Sequence, residues 1–170
     1  MDLQQSLPVQ QRGRAVPAGG LHLTLIHFGK IRDVYEDIST VSGVGWKQYT
    51  AHLTRYIART ADLMPLRPVR LLPAGLARFG QRGGTLVVEY QLPAELAAVH
   101  SLMYQVLYTF LQDCGITGVD SFIAQNINFM HAPKLKPHIT LYKGYAGPLP
   151  DIQLSPVTLA GMPVVYPPSG

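Results

Sequence analysis

The chain has few charged residues, a single cysteine and no long apolar run. Only 14% of its 170 residues are Asp, Glu, Lys or Arg, while 47% are hydrophobic, and this balance excludes an intrinsically disordered chain. The lone Cys114 excludes an internal disulfide and any Cys-x-x-Cys motif. No stretch of about 18 apolar residues occurs, so no membrane span is expected. These features are typical of a cytoplasmic protein.

Metal-binding patterns are also missing. Only ten residues are acidic, and no Cys-x-x-Cys or Cys/His cluster occurs, so neither a metal nor another cofactor is expected. The net charge of +4 mildly favours an anionic partner. Residues 1–19 are polar and rich in Pro and Gly, without the apolar run of a signal peptide. We expect them to form a flexible N-terminal arm, followed by a single domain over residues 20–170.

Hydrophobic periodicity predicts an α+β protein. Helical spacing covers residues 46–64, and a second helix opens at Pro93 and ends at Gly115. Apolar, β-rich segments predict strands at 21–28, 69–72, 84–92, 137–143, 152–159 and 163–166. This order of elements favours helices packed on antiparallel sheet.

One short motif occurs twice. His22-Leu23-Thr24-Leu25 and His138-Ile139-Thr140-Leu141 both read His-x-Thr-Leu, and both lie in predicted strands. A shuffled chain of this composition holds roughly 0.05 such tetrapeptides, so chance does not account for two copies. A third His-x-Thr begins at His52, but it falls within a predicted helix, where its His and Thr point in different directions. We interpret that copy as a solvated helix face and use it as a control.

Strand geometry gives the repeated motif a chemical meaning. Residues two apart in a strand share one face, so each motif presents an imidazole and a hydroxyl about 7 Å apart along the chain. With the two copies facing each other across a cleft, one neutral imidazole can take a proton from an attacking oxygen while the other, charged, protonates the leaving oxygen. The threonine hydroxyls can donate hydrogen bonds to phosphate oxygens. The pattern therefore predicts His22, Thr24, His138 and Thr140 as a metal-independent phosphodiester site.

Three neighbours are candidate substrate-binding residues. By strand parity Phe28 shares the face of Thr24, and Tyr142 shares that of Thr140, so either ring could stack on a base. Lys136, two residues before His138, could contact a second phosphate. For each of the three, ordinary sheet packing or a solvated surface position is the competing interpretation.

On these motifs the chain resembles the two-histidine (2H) phosphoesterase superfamily, which includes 2′-5′ RNA ligase-like proteins and cyclic-nucleotide phosphodiesterases. The resemblance runs from Leu21 to Leu159 and includes the middle stretch VRLLPAGLARFGQRGGTLVVEYQLPAELAAVHSLMYQVL. Residues 119–136 have no clear counterpart. The resemblance implies a bilobal, pseudo-twofold α+β fold. In such a fold two small antiparallel sheets surround a central cleft, and helices lie on the outer faces.

The resemblance also implies an enzyme that acts on a nucleotide phosphodiester. Three substrate classes stay open: 2′,3′-cyclic phosphate ends or 2′-5′ bonds in RNA, cyclic oligonucleotide signals, and ADP-ribose cyclic phosphate. The short chain favours a compact nucleotide or short oligonucleotide, and some viral relatives cancel a nucleotide immune signal. The alternatives are a non-catalytic protein that sequesters a nucleotide and a 2′-5′ ligase-like enzyme of RNA ends. The sequence leaves open the nucleophile, which histidine is the base, and the oligomeric state.

Overall fold

The computed structural model describes residues 12–65, 67–80 and 82–159. Within this part of the chain it is an α+β protein with four α-helices and two small antiparallel sheets, as the sequence predicts. The elements in chain order are β1 (Arg12–Ala15), a 3-10 turn (Ala18–Gly20), α1 (Ile31–Ser42), α2 (Trp46–Asp62), β2 (Val69–Leu71), β3 (Pro73–Phe79), β4 (Thr85–Tyr90), α3 (Ala94–Asp113), α4 (Val119–Gln125), β5 (His138–Ala146) and β6 (Val157–Leu159).

The chain forms two compact units, and the first holds every strand that the structure describes. It takes in the chain up to Thr24, Val69–Pro93 and Lys136–Leu159. A four-stranded antiparallel sheet has the order β1-β5-β4-β3, and β2 pairs with β6 in a second sheet. The β4 sequence TLVVEY is rich in β-branched and aromatic residues, which suit a strand paired on both edges. Its three central residues have no exposed surface.

The register between β4 and β5 contains a bulge. Val87 pairs with Thr140, but the next residue back along β4, Leu86, pairs with Tyr142, so Leu141 is one residue too many. An extra residue in one strand reverses the face on which the following side chains lie. We call the side of the sheet that carries His138 and Thr140 the motif face. On β4 it carries Thr85, Val87 and Glu89.

The second unit is helical. It comprises Leu25–Pro68 and Ala94–Leu135 of the described chain. Its buried cluster combines residues of all four helices with the loops between them: Val34, Ile38, Val44, Tyr49, Leu53, Tyr56, Leu107, Phe110, Leu111, Cys114, Ile116, Val119, Ile123, Phe129 and Ala132. Gly43 ends α1 with φ of 73°, a left-handed conformation that costs other residues energy. No helix in the described residues is long and apolar enough to cross a membrane.

Two predicted segments at the start of the chain differ from the structure. The expected N-terminal arm contains β1, whose backbone pairs with β5. The polar sequence RGRA gave no sign of it, because an edge strand is held by backbone pairing and needs no apolar face. The predicted strand over 21–28 is reduced to an isolated bridge between Leu23 and Ile139, and the chain bends at Leu25 and Ile26.

Elsewhere the long predicted elements agree with the structure, whereas several short elements do not. The predicted helices correspond to α2 and α3, and the predicted strands at 69–72, 84–92 and 137–143 to β2, β4 and β5. The strand predicted at 152–159 is only β6, and the one at 163–166 lies outside the described residues. The sequence pattern does not predict α1, α4 or β3. A turn in which the Gly83 N–H donates to the Gly80 carbonyl joins β3 to β4.

Candidate active site

Both copies of the His-x-Thr motif lie in the first unit, side by side on one sheet. Leu23 forms an antiparallel bridge to Ile139 on the edge of β5. That register sets His22 opposite Thr140 and Thr24 opposite His138, with Cβ atoms of opposite residues about 5 Å apart. His22 and His138 are then diagonal neighbours, a relation in which residues lie about 7–8 Å apart and their Cβ atoms somewhat closer. The sequence predicts two copies that face each other across a cleft, whereas in the structure they lie side by side on the motif face of one sheet.

The two histidines are anchored in the same way. Nδ1 of His22 lies 2.8 Å from the Gly20 carbonyl oxygen, and Nδ1 of His138 lies 2.7 Å from that of Lys136. A carbonyl oxygen can only accept, so Nδ1 must be the donor in both rings. In a neutral ring Nε2 is then the basic nitrogen, and in a charged ring Nε2–H is the acid. The two copies of the motif therefore share a side-chain hydrogen bond as well as a sequence.

The four motif side chains differ in exposure. His22 and Thr24 are exposed, whereas His138 and Thr140, on the paired strand β5, are half-buried. Neither threonine hydroxyl is hydrogen-bonded to a residue that the structure describes. Both hydroxyls can therefore donate to a ligand on this face without giving up an internal partner.

Phe79 is the aromatic neighbour of the motif that sequence reasoning missed. Its ring centroid lies 4.7 Å from that of His138, with the two planes at 54°. Phe79 pairs with Thr85, and His138 pairs with Glu89, so all four side chains lie on the motif face. Phe79 and Gly80 lie within the middle stretch that takes part in the family resemblance. The face that the ring occupies depends on β3, which was not predicted.

The two aromatic residues predicted at the site lie elsewhere. Tyr142 comes after the bulge, pairs with Leu86 and packs against Leu86 and Tyr145, on the side of the sheet opposite Thr140. Phe28 comes after the bend and belongs to the second unit. There its ring lies 5.4 Å from the rings of both Tyr56 and Phe129. The prediction that the two rings share the faces of the motif threonines was wrong, because it assumed strands without a bend or a bulge.

Lys136 and Glu89 flank His138. Lys136 is exposed, and the contact it makes with the motif is through its backbone carbonyl, which accepts from His138. Glu89 is half-buried and is the cross-strand neighbour of His138 on β4. The sequence does not indicate this carboxylate, because only the register of β4 against β5 brings the two residues together.

The remaining histidines belong to the second unit. His100 is buried, and its Nε2 lies 2.9 Å from the Ala132 carbonyl oxygen, a contact within the fold of this unit. His27 uses Nδ1 to bond the Asn128 carbonyl, and its ring meets that of His131 edge-on at 5.5 Å. His52, expected on a solvated face, has a side chain only 12% exposed. Its Nδ1 accepts a hydrogen bond from the Arg55 guanidinium at 2.5 Å and lies 3.9 Å from Asp113.

Among the described residues no group of three or more His, Cys, Asp or Glu side chains is arranged to hold a metal ion. Comparison with known proteins found no matching family model, no matching curated protein and no matching solved structure.

Proposed function

We propose that this protein is a phosphodiesterase that cleaves a nucleotide phosphodiester by paired-histidine acid/base catalysis. One observation carries the proposal. The two copies of a rare motif lie next to each other on one sheet face, and each holds its imidazole by the same Nδ1–carbonyl bond. Two equivalent Nε2 atoms on either side of one phosphate are what a concerted proton removal and proton donation require.

The proposed reaction is a single displacement at phosphorus. The neutral imidazole takes a proton at Nε2 from water or from a ribose hydroxyl, and that oxygen bonds to phosphorus. The bond from phosphorus to the leaving oxygen breaks, and the charged imidazole gives its Nε2 proton to that oxygen. Thr24 and Thr140 donate hydrogen bonds to the non-bridging oxygens, on which negative charge increases.

The substrate classes proposed are cyclic oligonucleotide signals, 2′-5′ linkages and 2′,3′-cyclic phosphates. The half-exposed site on a small sheet suits a nucleotide or short oligonucleotide, and degradation of an immune cyclic nucleotide is one biological setting that fits. A cytoplasmic location is part of the proposal, since Cys114 is a free, buried thiol.

The test is an EDTA-treated incubation with a panel of cyclic and linear oligonucleotides, with products identified by mass. We expect turnover to persist in EDTA, because imidazoles and hydroxyls supply every proton and hydrogen bond that the reaction needs. Loss of turnover on chelation, restored by a divalent ion, would contradict this scheme. Binding of a panel member without any product would instead favour the sequestering protein.

Substitutions to asparagine separate chemistry from folding. Asn keeps an amide N–H near the position of Nδ1 but has nothing at the position of Nε2. We expect His22→Asn and His138→Asn each to reduce the rate by on the order of 10²–10⁴. Thr24→Ala or Thr140→Ala should cost on the order of 10²-fold or less.

His52→Ala is the matched histidine control, and it should keep its turnover per folded molecule. Circular dichroism and urea unfolding of each variant establish that it is folded. If His52→Ala lost activity while His138→Asn kept it, the catalytic site would have to lie elsewhere.

A further inference from the structure

The bulge in β5 changes which side chain stands beyond Thr140 on the motif face. An unbroken strand would place Tyr142 there and Lys143 on the other side. In the structure Lys143 pairs with Thr85, a residue of the motif face, and Tyr142 pairs with Leu86 of the opposite face. Bulges are frequent next to active sites, where they redirect a side chain. Here the bulge places the Lys143 side chain, instead of the Tyr142 ring, next to Thr140 on the motif face.

A second cation lies directly across from Lys143. Arg14 of β1 is its cross-strand partner, so both side chains lie on the motif face, and both are exposed. Like charges directly opposite each other in a sheet are destabilising. Neither residue forms a salt bridge with any part of the chain that the structure describes. Glu89, an acid on the same face, is paired with His138 at the other end of β5.

From this juxtaposition we infer that Arg14 and Lys143 form a second phosphate-binding subsite. It lies one nucleotide step from the phosphate held between the histidines, since three residues of strand separate Lys143 from Thr140 by roughly 7–10 Å. An anion between the two cations removes their mutual repulsion and accepts charge-assisted hydrogen bonds from both.

This inference rests on the proposed function and specifies its substrate. The preferred substrate carries at least two phosphates, as a cyclic dinucleotide or a phosphorylated oligonucleotide does. A cyclic mononucleotide, with one phosphate, fills only the histidine subsite. Arg14 and Lys143 would then determine specificity, while the proton transfers stay with the two histidines.

The experiment is a binding measurement that needs no turnover. The His22→Asn/His138→Asn protein is titrated by calorimetry with a dinucleoside monophosphate, which has one phosphate, and with the same compound carrying a terminal 5′- or 3′-phosphate. We expect the added phosphate to tighten binding on the order of tenfold or more. Arg14→Gln and Lys143→Gln, added to that protein, should each reduce this gain toward none. Each should also lower the slope of log affinity against log salt by about 0.7.

Arg70→Gln is the matched control, because Arg70 is an exposed strand arginine of the other sheet with the same change of charge. It should keep the full gain from the added phosphate. An equal gain in Arg14→Gln, Lys143→Gln and Arg70→Gln would overturn the subsite. So would no gain from either terminal phosphate.

A parallel turnover assay on the wild-type protein separates the two proposals. If the wild type cleaves no panel member but the phosphate gain depends on Arg14 and Lys143, the catalytic proposal fails and the subsite stands. If the wild type cleaves substrate and the gain is independent of both cations, the subsite fails and the catalytic proposal stands.

Discussion

At the scale of single residues, the anchoring of each imidazole determines which nitrogen can do chemistry. Because a backbone carbonyl accepts from Nδ1 of His22 and of His138, proton exchange with a ligand falls to Nε2 in both rings. The carbonyls belong to residues two positions earlier in each case. A backbone contact of the same kind therefore orients both side chains.

Under the proposed mechanism, the two imidazoles should give a bell-shaped dependence of kcat/KM on pH. One ring must be neutral and the other charged, so the rate should fall on both sides of an optimum. The limbs belong to the pair and not to either ring. His22→Asn/His138→Asn should be little slower than either single variant, since groups that act as a unit are strongly non-additive. Paired catalysis would be contradicted if the losses of the two single variants multiplied in the double variant. It would also be contradicted if kcat/KM did not change with pH.

Phe79 supplies the second residue-scale prediction. Its ring packs against His138 and offers an aromatic face next to the site. Phe79→Leu keeps an apolar side chain but removes the ring, and we expect kcat/KM to fall about tenfold, as loss of one ring contact or base stack does. Phe122→Leu, in the second unit, is the matched control. Equal kinetics of the two variants would remove Phe79 from the site.

At the scale of elements, the loop after α4 is hydrogen-bonded to the segment that follows the first motif and packs closely against it. Asn128 donates to Asp37 through its side chain at 2.8 Å, and its N–H donates to Asn126 at 2.8 Å. Its carbonyl accepts from His27 at 2.9 Å. With three anchors Asn128 cannot move aside, and its side chain occupies the space where a Cβ on Gly29 would lie.

Gly29→Ala should therefore be destabilising. A methyl group there would overlap the side-chain atoms of Asn128, and overpacking of this kind costs about 1–3 kcal/mol. The measurement is the free energy of unfolding in urea. Gly84→Ala, where an added Cβ meets nothing within 4 Å, is the matched control. Equal stability of the two variants would mean that the loop yields without cost.

At the scale of the whole molecule, the free energy of unfolding should decrease at alkaline pH, because three weakly acidic side chains are buried in the helical unit. Burial raises the pKa of the Cys114 thiol from 9.0 to about 12, and Asp113 adds to the effect. Burial likewise raises the pKa of Tyr49 and of Tyr56 from 10.0. All three side chains belong to the buried cluster of the second unit.

The sign follows from the unfolded chain, in which these groups ionise near pH 9–10. Their contribution to the free energy of unfolding is fully present below pH 9. It is lost as pH rises toward the folded pKa values, by up to about 1.4 kcal/mol per pH unit for each group. The urea midpoint should therefore fall steadily above pH 9, and Cys114→Ala should delay the onset to about pH 10. A midpoint constant from pH 8 to 11 would contradict this account.

The sequence by itself determined the elements and residues that depend on local pattern. The 3.6-residue period of α2 and α3, the apolar run of β4 and the duplicated His-x-Thr-Leu follow from side chains near each other in the chain. The α+β class follows from their order. These features survive in the structure because each element buries the face that its own sequence makes apolar.

Tertiary structure alone decided which side chains stand beside the motif. β1 has no apolar pattern and exists through backbone pairing with β5. The extra residue Leu141 appears only when β5 is aligned with β4, and that one-residue shift turns Tyr142 away and brings Lys143 to the motif face. Phe28 is drawn into the aromatic core of the helical unit. Register is a relation between strands distant in the chain, and the spacing within one strand does not contain it.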